Sequence, residues 1–320
     1  MRILLASPID PQAVRSLRRS HDVRQLASPE PGELARAVED RDAVVLRSGV
    51  VLSADVMTAA PDLRLVVRAG SGLDNIDVDH ARQHGIRVVR VAGMSAPPVA
   101  EFTFALLLSL ARKVTVADRL IRIGEWPKPQ LGGALLRGKV LGVVGAGNIG
   151  GLVGEMGSAW GMHVLGCVAH PDGRVAAGLA QRGITLTDFD DVVDRADFLT
   201  LHVPLDESTH HMVDGTVLDR MRPGSLLVNV ARGGVVDEKA LYDALTEGNS
   251  VAGAALDVHE AEGDGTVSPL AALSNVVLTP HIGAMALDSQ RLIGERVTEL
   301  IEAFHQGTLN EEVRDGEHVV

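Results

Sequence analysis

Three short passages carry the side chains with chemistry to offer, and each follows an apolar run of strand length. In NVARGGVVDE, at 229–238, Arg232 comes after a strand that reads as buried and before two glycines. A guanidinium there can clamp a carboxylate through two parallel hydrogen bonds. The competing reading is a solvent-facing arginine in a glycine turn. ALDVHEAE, at 255–262, closes a strand with several acids, and in TPHIGA, at 279–284, His281 follows Pro280 at another strand end. A lone histidine is more often structural than reactive, and what raises this one is the combination. Hydride transfer needs a group that exchanges the substrate hydroxyl proton, and imidazole titrates near working pH.

Such groups need a frame, and KVLGVVGAGNIGG at 139–151 supplies its centre. Val140 to Val144 is a β-branched strand, Gly145, Gly147 and Gly150 give the G-x-G-x-x-G spacing, and a helix-compatible run covers 149–160. Gly145 permits the sharp turn, Gly147 lets backbone approach a pyrophosphate, and Gly150 allows close helix packing. The pyrophosphate would rest on unpaired N–H groups at the helix start. A plain strand-to-helix turn is the alternative.

Around this loop the chain alternates short strands with helices. Strands are expected at 2–6, 23–26, 43–46, 65–67 and 87–91, then at 163–168, 198–202, 225–230, 253–257 and 276–278. Helices fall between them, with a long apolar one from Val99 to about Val116 and a last one at 287–304. That pattern predicts parallel sheets covered by helices, with a ligand outside the carboxyl ends of the strands, between two domains. The tail from Asn310 is acidic and expected to fray. Aromatics are scarce in these 320 residues, so the cores must be aliphatic. A formal net charge of −12 argues against nucleic acid or an anionic membrane as partner, so an anionic small-molecule substrate must be held by local arginines. The single cysteine, Cys167, excludes an internal disulfide, MRILLASPID reads as a strand rather than a signal peptide, and no apolar run spans a bilayer. A cytoplasmic protein is expected.

At this point the chain resembles the D-isomer-specific 2-hydroxyacid dehydrogenases over nearly its whole length. RAGSGLDNID, SAPPVAEFTFALLLSLAR, GKVLGVVGAGNIG, TLHVPL, LLVNVARGGVVDEKAL, GAALDV and LTPHIGA are similar to the family's blocks, in the same order. The resemblance implies an α/β protein of two Rossmann-like or flavodoxin-like domains with a cleft between them. Residues 1–98 plus 286–320 would bind substrate and 99–285 the dinucleotide. It implies a catalytic triad of Arg232, Glu262 and His281, in which Arg232 binds the substrate carboxylate, His281 exchanges the proton and Glu262 holds its ring and favours its protonated form. Gly70 and Ser71 would add backbone N–H groups for the carboxylate. Besides the three loop glycines, Asn148 and Ile149 are assigned to the pyrophosphate, Val203 and Val230 to the cofactor, and Asp257 and Ala284 to the nicotinamide. No metal is implied, and a homodimer through the cofactor domain is.

Within the family, residues 44–77 most resemble the branch acting on 3-phosphoglycerate, with Arg47 and Arg68 near substrate and Arg68 facing a phosphate. Their alternative is two surface arginines on helices. A phosphorylated or phosphonate acid is the favoured substrate; glycerate or hydroxypyruvate, glyoxylate, or a dinucleotide-sensing corepressor are the other readings. The chain is expected to carry no C-terminal regulatory domain and no serine feedback. Two positions depart from the family. Val168 stands where NAD-using members commonly carry an acid for the ribose, so NAD is the expected cofactor with NADP left open, and His170 is the side chain nearby that could meet the ribose. Gly263 replaces the proline that usually follows the glutamate, which makes Glu260 a rival to Glu262.

Overall fold

A computed structural model of the chain describes residues 1–27, 29–248 and 250–320. It divides into two compact units, 1–95 with 284–320, and 96–283. Both are parallel sheets covered by helices, as the alternation of short apolar strands and helices requires.

The first unit has five strands: β1 (Arg2–Leu5), β2 (Asp22–Gln25), β3 (Ala43–Leu46), β4 (Leu65–Arg68) and β5 (Arg87–Arg90). Their order is β2-β1-β3-β4-β5. Both faces of β3 and β4 are buried, which is why β3 and residues 65–67 of β4 read as unbroken apolar runs. The helix Pro11–Ser20 starts on the Asp10 carboxylate, which accepts the N–H groups of Gln12 and Ala13. It packs on the long helix Leu287–Gln306, where Gly294 admits Asp10 and Ala13 at a distance that no larger residue permits.

The tail does not fray. Arg296 and Glu317, each with a side chain only 2% exposed, form a two-pronged ion pair at 3.0 and 2.6 Å. Glu317 also accepts the Arg314 N–H, and 317–320 pair with β5 through Arg90 and Val88. The acids that suggested a solvated tail include one that is buried and neutralised, and removing one partner of such a pair costs about 3–5 kcal/mol.

The second unit has seven strands: β6 (Val140–Val144), β7 (His163–Cys167), β8 (Ile184–Leu186), β9 (Phe198–Leu201), β10 (Ser225–Asn229), β11 (Val251–Leu256) and β12 (Val276–Leu278). They are ordered β12-β11-β10-β9-β6-β7-β8, with the direction of winding reversing beside β6. Register puts Val144 opposite Cys167 and Leu201, Leu201 opposite Asn229, Asn229 opposite Leu256, and Leu256 opposite Leu278. One row of residues therefore ends the strands, and whatever follows each lies along one edge.

The long apolar helix is shorter than its sequence suggests. It runs Ala96–Ala111, Lys113 takes a left-handed φ of 53°, and a second helix covers Val114–Arg122. The cause is tertiary: the Ala111 carbonyl, which would continue the helix, accepts the N–H of Ala134 at 2.8 Å, and Gly133 packs against that same oxygen. The strand Ile184–Leu186, at the outer edge of the sheet, and the helices Gly173–Gln181, Phe189–Arg195 and Gly215–Arg220 were not read from the sequence pattern. No described helix is long and apolar enough to cross a membrane.

Candidate active site

The edge row of the seven-stranded sheet collects the glycine loop, Val168, Val203, Val230, Arg232, Asp257, Glu262 and His281, each just beyond a strand end. Gly145 takes φ +88°, and an added Cβ would press on the His202 carbonyl at 2.8 Å. A Cβ on Gly150 would fall on the Gly145 carbonyl oxygen, whereas one on Gly147 meets nothing within 4 Å. Two glycines thus serve packing and the third faces open space. The helix Asn148–Ala159 that follows has no side-chain cap, whereas Asp172, Asp188, Asp214 and Asp237 each cap the helix after them. Its first N–H groups are left for an external anion, and exposed Asn148 and half-buried Ile149 stand at that end. The cradle fits a pyrophosphate.

Val168 follows β7 half-buried, and His170 is exposed two residues on. Half-buried Val203 touches the position where a Gly145 Cβ would stand, and Val230 is buried at the end of β10. His202, between β9 and Val203, hydrogen-bonds Thr200 through Nε2 at 3.0 Å. Its Nδ1 is buried with no partner among the described residues, and burial pushes its pKa down to about 3. That ring is neutral at working pH and is no reservoir of protons.

Arg232 sits in a turn that Asn229 shapes: the Asn229 side chain accepts the Ala231 N–H and donates to the Arg232 carbonyl, both at 3.0 Å. Nη1 of Arg232 donates to the Ala231 carbonyl at 2.7 Å. His281 occupies a left-handed φ of 54°, rare for a non-glycine residue. Asp257 imposes it. Its carboxylate accepts from Thr279 Oγ1 at 2.7 Å and from the N–H groups of Ile282 and Gly283 at 2.9 and 2.8 Å, while its carbonyl accepts the His281 N–H at 2.7 Å. Asp257 is 2% exposed, so water competes weakly at its carboxylate and these bonds hold the histidine loop stiffly.

The structure brings Glu262 and His281 together: Nδ1 of the ring lies 2.9 Å from Oε2. Burial pushes the Glu262 carboxyl up, but the hydrogen bond and charge of His281 and the N–H of His259 outweigh it and leave it below the usual glutamate range. Glu260 does not reach His281 by a hydrogen bond; its Oε1 pairs with His211 Nε2 at 2.9 Å. With Nδ1 engaged, Nε2 of His281 is the nitrogen left to exchange a proton. Asn229, His259 and Glu238, which shape these loops, were not read from sequence; each is an ordinary strand-end or helix-start residue until its partner is known.

In the first unit, Arg47 follows β3 and Arg68 ends β4, and neither is on a helix. Arg68 is 5% exposed, with its guanidinium over Gly70, whose φ of +154° and missing Cβ make room for it. Arg47 is half-buried, burial lowers its pKa, and its N–H donates to Ser7 Oγ at 3.0 Å. Ser71 joins Ser95 by a hydroxyl hydrogen bond at 3.1 Å and accepts from Arg90 through its carbonyl. Ala284 also belongs to this unit, its carbonyl held by Gln290 at 2.6 Å. A cavity of about 650 Å³ in the second unit is elsewhere, beside Lys139, Asp197, Gly224 and Asn275 at the opposite ends of the strands. Among the described residues no group of three or more His, Cys, Asp or Glu could hold a metal ion.

Residues 104–283 match the family model described as D-isomer specific 2-hydroxyacid dehydrogenase, NAD binding domain. The chain is 40% identical to the D-3-phosphoglycerate dehydrogenase of Mycobacterium tuberculosis over 93% of its own length and 56% of that protein's. It therefore spans little more than half of that relative. It is 38% identical to the hydroxypyruvate reductase of Thermotoga maritima, covering 94% of this chain and 97% of that one. The D-lactate dehydrogenase of Aquifex aeolicus, solved with NAD and lactic acid, superposes with a TM-score of 0.86 at 28% identity over 99% of this chain and 98% of the other.

Proposed function

The chain belongs to the D-isomer specific 2-hydroxyacid dehydrogenase family, and from that premise we propose that it transfers a hydride between a nicotinamide dinucleotide and a D-2-hydroxyacid or 2-oxoacid. The observation that carries the reading is the His281–Glu262 pair at 2.9 Å on the same sheet edge as Arg232 and the glycine cradle. The bound dinucleotide supplies the nicotinamide ring that accepts or returns the hydride. Arg232 binds the substrate carboxylate and orients the carbon that bears the hydroxyl. In oxidation the hydroxyl proton passes to Nε2 of His281 as hydride leaves the carbon; in reduction the protonated ring returns it to the nascent alkoxide. Glu262, bonded to Nδ1, fixes the ring's orientation and stabilises its positive charge. When a dinucleotide binds, Asn148 and Ile149 would meet its pyrophosphate, Val203 and Val230 would line it, and Asp257 and Ala284 would serve the nicotinamide end.

The favoured substrate is 3-phosphoglycerate or a similar phosphorylated or phosphonate acid. Supporting this is Arg68, a buried cation at the end of β4 above Gly70; Arg47, Gly70 and Ser71 would add further contacts. The relatives named for phosphoglycerate point the same way, and the one named for hydroxypyruvate supplies the competitor. A homodimer in the cytoplasm is part of the proposal. The helix Val114–Arg122 has no buried residue, and Val114, Ile121, Ile123 and Trp126 are 47–77% exposed, an apolar surface that a second copy would cover.

Absorbance at 340 nm with NAD, NADP and their reduced forms, against a panel of 2-hydroxy and 2-oxo acids, tests the activity; silence across the panel refutes it. For the substrate, Arg68→Ala should raise KM for 3-phosphoglycerate by roughly 10- to 100-fold and leave glycerate turnover unchanged. Equal loss on both removes the phosphate reading.

A further inference from the structure

The loop that carries Glu262 has little stiffness of its own. Gly263 and Gly265 take φ of +75° and +81°, with nothing within 4 Å of where a Cβ would stand. Yet the loop is tied at both ends to one side chain. Glu238 Oε1 accepts the Glu260 N–H at 2.8 Å, and Glu238 Oε2 accepts Ser268 Oγ at 3.1 Å. The Glu238 N–H in turn donates to Glu260 Oε1 at 3.3 Å, which makes the tie reciprocal, and His211 Nε2 holds that same Oε1 at 2.9 Å. The Glu238 side chain is 14% exposed, so water competes weakly for these bonds. A further contact keys the two segments: a Cβ on Gly233, next to Arg232, would fall on the His259 carbonyl oxygen. His259 then donates its N–H to Glu262 Oε1 at 3.1 Å, and its Nε2 hydrogen-bonds the Thr279 carbonyl at 2.9 Å.

We propose that Glu238, with Glu260 and His211 behind it, is the positioning residue for Glu262: it staples the acid-bearing loop to the helix that follows Arg232 and thereby sets the carboxylate against His281. The proposal rests on the reading of Glu262 and His281 given above. Glu260 is accordingly no competitor for His281 but the anchor of the loop.

The test compares Glu238→Ala with Glu238→Gln, whose amide oxygen can still accept the Glu260 N–H. The first measurement follows the Glu262 carboxyl titration by carbon NMR on the whole chain and needs no substrate. Glu238→Ala should raise its midpoint toward the ordinary glutamate value, as the His281 bond and the His259 N–H lose their alignment, and Glu238→Gln should restore most of the wild-type position. The second is turnover: Glu238→Ala should lower kcat roughly 10- to 100-fold at unchanged KM for the dinucleotide, and should cost nothing more in a Glu262→Gln background. An unmoved Glu262 titration, or losses that multiply in the double variant, overturns the proposal. Should Glu238→Ala fail to fold, Ser268→Ala cuts the one bond to Glu238 Oε2 and Glu260→Ala cuts the bonds from the Glu238 N–H and His211, and each should raise the same midpoint by less. A wild type silent across the substrate panel refutes the functional reading, while the Glu262 titration still decides this one.

Discussion

Residues 145–150 and residues 257–268 both leave the carboxyl edge of the seven-stranded sheet, but the first loop is built from backbone and the second from side chains. The glycine loop holds its shape through main-chain bonds from Gly145 and Ala146 to the Cys167 carbonyl, through a positive φ at Gly145, and through close packing at Gly150. Among the described residues no carboxylate takes part. The acid loop is held by Glu238, Glu260, His259 and His211, and the histidine loop beside it by both carboxylate oxygens of Asp257. A backbone cradle presents N–H groups to any pyrophosphate and is indifferent to protonation. A side-chain lattice can orient one imidazole and stabilise its charge. On the proposed reading, the difference is between a part that would bind and a part that would move a proton.

The largest effect should come from separating the two. His281→Asn removes the proposed proton acceptor but none of the cradle, so turnover should fall about 10²- to 10⁴-fold while dinucleotide affinity, read by quenching of protein fluorescence, stays as in wild type. Equal losses of both would show that the two loops are not separable.

Gly150→Val strikes the other loop. Its side chain would meet the Gly145 carbonyl and Val143, and overpacking of this kind costs typically 1–3 kcal/mol. The urea midpoint should drop and dinucleotide binding should be lost, with the Glu262 carboxyl titration unmoved in the variant that remains folded. A change in that titration would mean the glycine loop also supports the acid loop.

The smallest expected effect sharpens what the cradle cannot do. Val168 offers no charge to the ribose, so Val168→Asp should add a charge-assisted hydrogen bond to NAD and repel a 2′-phosphate. About 1.5–3 kcal/mol of preference corresponds to at least tenfold in the NAD to NADP ratio of kcat/KM. An unchanged ratio would place the ribose contact elsewhere, with His170 the next position to vary.

The two loops also differ in how far they could be read beforehand. Gly145, Gly147 and Gly150 announce themselves because the constraint on each is local: a turn, an approach, a close packing. Arg232 and His281 were visible as polar residues at strand ends, and register explains why they share an edge. Choosing between Glu260 and Glu262 was beyond the sequence, since both lie in one glycine-flanked run and the choice turns on His211, nearly fifty residues earlier. The tail misled for the same reason, because Glu317 looks solvated until Arg296 is placed against it. At Ala111 it was a hydrogen bond from Ala134 that decided where the helix stops.

From the sequence alone came the parallel α/β architecture, the glycine loop expected to hold a dinucleotide and the residue types that can clamp a carboxylate and exchange a proton, because each depends on periodicity or on spacing within a few residues. The tertiary structure alone decided which carboxylate meets His281, that Asp257 forces the histidine into its left-handed turn, and that Glu238 ties the acid loop down. Those are contacts between segments distant along the chain, and hydrogen-bond partners are settled by ångströms in space, which spacing along a chain does not record.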